Sequence, residues 1–143
     1  MTNNALVIVD LQKGFINELT KDLPSKIEKI QENYDRVYSL QFINLNDSLF
    51  RTELGWTKFS IDSEDVDFAY KVKPNSIIFQ KFSYGASPEL IADLINKGIT
   101  SIDLCGCDTA ECITKIAMDL FDNNILPRVL SDCCGSSVSI KEV

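Results

Sequence analysis

The residue of this chain best placed to do chemistry is a cysteine at a strand-to-helix junction. The stretch Gly106-Cys107-Asp108-Thr109-Ala110-Glu111-Cys112-Ile113-Thr114 follows an apolar run at 102–105 that reads as a buried strand. It leads into residues 114–121, which read as an amphipathic helix running to about 123–124. Cys112 therefore falls in the first turn of that helix, where free backbone N–H groups and the positive end of the helix dipole favour a thiolate. Two further residues complete a candidate set: Asp10 closes the apolar run at 5–9, and Lys81 follows the apolar run at 76–79. Because the chain has no histidine, the proton of a nucleophilic thiol must go elsewhere, and a carboxylate within hydrogen-bond reach can take it. A nearby lysine lowers the thiol pKa and stabilises negative charge that develops on a substrate. Such parts suit acyl transfer, with a thioester formed on Cys112 and then hydrolysed by water. Taken singly each residue has a plainer reading: Asp10 as a turn cap, Lys81 as a solvated charge, Cys112 as a small buried apolar residue. The functional case rests on their convergence.

The surrounding elements predict that convergence. Residues 5–9, 37–42, 76–79, 100–105 and 128–131 read as strands, the first as a continuous apolar run suited to a parallel sheet covered on both faces. Between them, residues 24–30 read as a helix with Pro24 near its first turn. A second helix starts at Ser87-Pro88-Glu89 and ends at Gly98. Alternating strands and helices mean an α/β domain of three layers (αβα), a mostly parallel, doubly wound sheet with right-handed crossovers and helices on both faces. In such sheets sites form beyond the carboxyl ends of the strands, which is where Asp10, Lys81 and Cys112 fall. The stretch 44–75 is the least regular and is expected to shape a pocket. Its acidic segment 62–67 lacks the central glycine of a calcium loop and reads as solvated.

The chain's 143 residues suffice for a single domain, and its net charge of −7 speaks against nucleic-acid and anionic-membrane partners. No apolar run approaches the ~20 residues that span a bilayer, and residues 1–5 carry no basic region before the first apolar run, so no signal peptide is read and a cytoplasmic location is expected. The five cysteines, Cys105, Cys107, Cys112, Cys133 and Cys134, are odd in number and fit no disulfide framework. Their spacing, with no histidine, also fits no structural zinc pattern, so neither metal nor cofactor is expected.

At this point the chain resembles the isochorismatase-like cysteine hydrolases, a group that includes nicotinamidases, carbamoylsarcosine amidohydrolases and related amidases. The resemblance runs over nearly the whole chain on three anchors in order. These are 5–15 (Ala-Leu-Val-Ile-Val-Asp-Leu-Gln-Lys-Gly-Phe), 79–84 (Phe-Gln-Lys-Phe-Ser-Tyr) and 106–113 around Cys112, with 129–135 similar to the family's late strand. It implies catalytic Asp10, Lys81 and Cys112, an oxyanion hole from the backbone N–H groups of Asp108 and Cys112, and a cis peptide between Cys107 and Asp108. It also implies a sheet of about six strands, a small-molecule substrate and homo-oligomers. Phe15, Trp56 and Tyr84 are candidate pocket walls, with core packing as the plainer reading for Phe15 and Trp56.

The chain departs from the family in three ways. It lacks the histidines of the metal site that some nicotinamidases carry. It has Ala86-Ser87 where members often have an aromatic residue after the lysine. It stops at Val143, short of a usual further helix and last strand. The function expected is hydrolysis of a C–N bond in a small amide, imide or carbamoyl compound. Two other readings compete with it: a non-catalytic binding or regulatory module on the same fold, and a redox sensor pairing Cys112 with Cys107 or with Cys133-Cys134.

Overall fold

The computed structural model describes residues 5–138; the start of the chain, read above for a targeting signal, and its end at 141–143 lie outside them. The central strand β1 (Ala5–Val9) is buried at every position. Leu6 and Ile8 point to one face, with Ile27, Val37 and Cys105, while Val7 and Val9 point to the other, with Leu90, Leu94, Ile116 and Leu120. Two apolar layers on one strand explain why its sequence is continuous rather than alternating.

Around it lie α1 (Leu23–Gln31), β2 (Arg36–Phe42), the short α2 (Leu49–Thr52), β3 (Ile77–Lys81), α3 (Pro88–Asn96), β4 (Ser101–Cys107), α4 (Thr114–Asp122) and β5 (Leu126–Gly135). The sheet order is β3-β2-β1-β4-β5 and all four pairings are parallel. The chain winds outward from β1 to β3, then crosses back to β4 and β5. This is a doubly wound three-layer α/β sheet, whose reversal of strand order falls between β1 and β4. Among the described residues it has five strands, where the resemblance implies about six.

Local signals account for the helix starts. Pro24 occupies the first turn of α1. The Ser87 hydroxyl accepts the Leu90 N–H ahead of Pro88 in α3, and Gly98, at φ +67°, ends that helix in the left-handed region that favours glycine. Several strands extend beyond their sequence-read limits, β4 among them, which runs to Cys107. Lys81 lies inside β3 rather than after it, because β3 continues its pairing with β2 to the register Phe42↔Lys81. Likewise β5 runs over ten residues rather than the four at 128–131. It is an edge strand with mostly exposed side chains, so its apolar signal is short while its pairing with β4 continues to Cys107↔Gly135.

Gly106 lets β4 approach β1 at the end where the site forms. Its φ is +119°, and a Cβ built there would lie 2.1 Å from the carbonyl oxygen of Val9. Gly106→Ala is therefore expected to lower unfolding free energy by more than ~2 kcal/mol, through backbone strain and a clash with backbone rather than with a movable side chain. Urea denaturation checks this, and an unchanged midpoint would show that the two strands can part without cost.

Candidate active site

Three strand ends bring the three residues of the candidate set together. Asp10 leaves β1 with φ +50°, a left-handed conformation uncommon for a residue with a side chain. Its N–H still donates to the Leu40 carbonyl at 3.2 Å, which holds the turn against β2. The Gln12 amide ties this turn to its surroundings: it donates to the carbonyls of Phe42 and Val66 and accepts from the Phe42 N–H, at 2.9, 3.1 and 2.8 Å. Lys81 occupies the inward face of β3 with Ile77 and Phe79, since alternate residues of a strand share a face.

Cys112 lies not in the first turn of α4 but in a π-helical turn, Thr109–Ile113, that precedes it. The Asp108 carbonyl accepts both the Glu111 and the Ile113 N–H at 3.2 Å, and the second of these bonds, which spans five residues, widens the turn. The Thr114 hydroxyl closes it onto the Thr109 carbonyl at 2.7 Å. Such turns occur disproportionately at functional sites. The peptide between Cys107 and Asp108 is cis.

Asp10, Lys81 and Cys112 are 0, 1 and 7 % exposed. Lys81 Nζ stands 2.9 Å from Asp10 Oδ2 in a buried ion pair. The ammonium also donates to the Ser83 carbonyl at 2.6 Å and to Cys112 Sγ at 3.6 Å, and it lies 5.1 Å from the centre of the Phe42 ring. Burial raises the pKa of Asp10, against the lowering influence of Lys81 and the Cys112 thiol. Burial by itself would lower the pKa of Lys81, but Asp10 and Cys112 outweigh it and the ammonium is held above its ordinary value.

The thiol differs from its sequence expectation. Burial first, and the Asp10 carboxylate second, push Cys112 well above an ordinary thiol, while Lys81 pulls it down. The favourable helix terminus was legible in the sequence, but the desolvation that overrides it was not.

Above the thiol opens a cleft of about 350 Å³. Of the three central residues only Cys112 reaches its lining; Asp10 and Lys81 lie behind. Phe15, Trp56 and Tyr84 all line it. They belong to a continuous aromatic wall, completed by Phe42, Phe50 and Phe59, which sequence reading missed. Ring centres are 4.3 Å apart for Phe15–Phe59, 5.9 Å for Phe42–Trp56 and 5.1 Å for Phe50–Tyr84.

Half of the wall, Phe50, Trp56 and Phe59, comes from the irregular stretch 44–75, organised by Asn44. Its amide donates to the carbonyls of Trp56 and Lys58 at 3.0 and 2.9 Å, and its N–H donates to the Phe59 carbonyl at 2.8 Å. The only advance signal was a polar residue just beyond an apolar strand. The acidic segment 62–67, read as a solvated loop, includes a short 3₁₀ turn, Glu64–Val66, capped by Ser63. At the cleft's other side the Asp108 carboxylate accepts the N–H and hydroxyl of Ser137 at 2.7 and 2.9 Å, drawing the chain after β5 over the site.

The fold is thus a doubly wound α/β sheet with a buried acid, ammonium and thiol gathered at its strand ends. A family model, the isochorismatase domain, matches residues 4–139, and the chain belongs to that family, whose members are hydrolases that include amidases and nicotinamidases. A search among curated proteins returns no significant match.

Solved structures share the fold. An isochorismatase-like hydrolase from Alkaliphilus metalliredigens is 21 % identical with a TM-score of 0.82, over 94 % of this chain and 84 % of that one. An N-carbamoylsarcosine amidase from Thermoplasma acidophilum is 19 % identical with a TM-score of 0.81, over 99 % and 88 %. A pyrazinamidase of Pyrococcus horikoshii, in complex with zinc, is 17 % identical with a TM-score of 0.81, over 98 % and 90 %. This chain's residues do not fit a zinc ion of that kind: it has no histidine, and among the described residues no group of three or more acidic or cysteine side chains is arranged to hold a metal. No described helix is long and apolar enough to cross a membrane.

The opposed influences on the thiol give a signed prediction. Asp10→Asn removes a charge that disfavours the thiolate, so the pH profile of Cys112 alkylation by iodoacetamide is expected to move to lower pH. Lys81→Met removes a favourable charge, and the profile is expected to move to higher pH. Shifts of the same sign in both variants would contradict the geometry.

Proposed function

We propose that this protein is a cysteine-dependent hydrolase of a C–N bond in a small amide, imide or carbamoyl compound. The observation that carries the reading is the contact of Lys81 with both Asp10 and Cys112, at 2.9 and 3.6 Å, directly behind a cleft that Cys112 lines.

In this reading Asp10 takes the thiol proton as Sγ bonds to the substrate carbonyl carbon, and the C–O π electrons move onto oxygen. The backbone N–H groups of Asp108 and Cys112 hold that oxyanion. When the tetrahedral species collapses, the C–N bond breaks and Asp10 hands its proton to the departing nitrogen. The product amine or ammonia leaves a thioester on Cys112. Asp10 then draws a proton from water, which adds to the thioester carbonyl, and the thiol departs with that proton. Lys81 keeps the carboxylate ionised between these transfers and stabilises negative charge near Sγ.

Burial suits the assignment, since a carboxylate with a raised pKa is a better base in a dry site than in water. The redox reading finds little support, because Cys107, Cys112 and Cys134 all have thiols raised by burial, and sensor thiols are low in pKa and accessible. A small-molecule substrate, a cytoplasmic location and assembly of several copies of the chain belong to the same proposal. The net charge of −7 supports its exclusion of nucleic acid and anionic membrane.

Ammonia release from a panel of small aromatic and aliphatic amides and carbamoyl compounds tests the reading. Turnover by the wild-type protein is expected to fall by about 10³-fold or more in Cys112→Ser and in Asp10→Asn, with circular dichroism unchanged. Intact-mass detection of an acyl adduct, absent from Cys112→Ser, is expected alongside. Turnover that survives Cys112→Ser would remove the thiol from the mechanism.

A further inference from the structure

Among the described residues the lining of the cleft carries three charged side chains, Lys58, Asp108 and Glu111, so acids outnumber bases there. Behind them Asp10 and Lys81 offset one another. Two of the three lining charges are engaged with the protein itself. The Asp108 carboxylate accepts twice from Ser137. The Lys58 ammonium donates to the Gly14 carbonyl at 3.1 Å and lies 5.8 Å from the Phe59 ring centre. Glu111 differs: it precedes the nucleophile in the π-helical turn, is exposed at the rim, and its carboxylate has no hydrogen bond or ion pair among the described residues. The rest of the wall is aromatic, and ring faces carry partial negative charge that attracts cations.

We propose that Glu111 sets the charge of the ligand: the cleft accepts compounds whose non-reacting end is neutral or cationic and rejects those that carry a carboxylate. This rests on the reading that the substrate is received on the Cys112 side of the cleft. A carboxylate there loses hydration and faces the Glu111 carboxylate and ring faces. An ammonium or ring-nitrogen cation finds both a counter-charge and a π face. Lys58 works against this preference, but its bond to Gly14 holds it to the wall.

Thiol reagents of opposite charge test the field at Cys112 without requiring turnover. The probes are trimethylammonioethyl and sulfonatoethyl methanethiosulfonate, each rate being normalised to that with 2-mercaptoethanol. Peptide mass spectrometry separates Cys112 from the partly exposed Cys134, with Cys112→Ser as the blank. The cationic reagent is expected to be favoured about tenfold. That preference should fall several-fold in Glu111→Gln, persist in Glu111→Asp, and grow in Lys58→Gln.

Equal normalised rates, a preference for the anionic reagent, or a preference untouched by Glu111→Gln overturns the proposal. So does failure of Cys112 to react with either reagent, because the cleft would then deliver no ligand to it. If the charge ratio behaves as expected while no amide is turned over, charge selection stands and the hydrolase reading alone falls.

Discussion

The site depends on keeping a carboxylate and an ammonium dry beneath a thiol. Removing each ion from water costs several kcal/mol, and mutual attraction recovers that only when geometry is good and the remaining lone pairs are satisfied. Asp10 and Lys81 meet at 2.9 Å, and the Cys112 thiol is the other polar group beside the carboxylate. The pair therefore has few partners to offset its desolvation. In the proposed reading the same carboxylate takes the thiol proton. The surrounding protein must supply the stability that the pair does not, through two apolar layers packed on opposite faces of β1.

Sheet order explains the residue types. β1 lies directly between β2 and β4, so the turn after β1 and the turn after β4 are neighbours and Asp10 reaches the thiol region over a short distance. β3 is two strands from β1, about 10 Å at ordinary strand spacing. A charge from β3 must span β2 to reach Asp10, and a long flexible lysine stem does this while resting on the Phe42 ring beneath it. The close approach of β4 to β1 at Gly106 and the wide turn at Thr109–Ile113 then set the depth at which Cys112 sits.

Much of this frame was legible in the sequence, because it is written in local patterns. The unbroken apolar run at 5–9 announced a strand covered on both faces, and Ser87-Pro88 announced a helix start. The crossover rule placed Asp10, Lys81 and Cys112 at one edge of the sheet. What could not be read depends on long-range contact. Lys81 belongs to β3 only because Phe42 pairs with it. The full length of β5 is fixed by its partner rather than by its own exposed residues. The aromatic wall needs Asn44 to fold the stretch 44–75 back on itself, and no periodicity marks Phe42, Phe50 and Phe59 as neighbours.

The state of the thiol shows most plainly where local inference ends. A cysteine near a helix start reads as an activated thiolate, since the dipole and free N–H groups act over one turn. The folded protein adds burial and an adjacent carboxylate, and both act in the opposite direction with greater weight. In the proposed reading the nucleophile rests as a thiol facing a base, and its proton leaves as a bond to substrate forms rather than beforehand. A permanent thiolate would meet every electrophile and oxidant that entered the cleft. On that reading a buried thiol gives up standing reactivity in return for selectivity, and the ammonium of Lys81 would keep the proton transfer within reach.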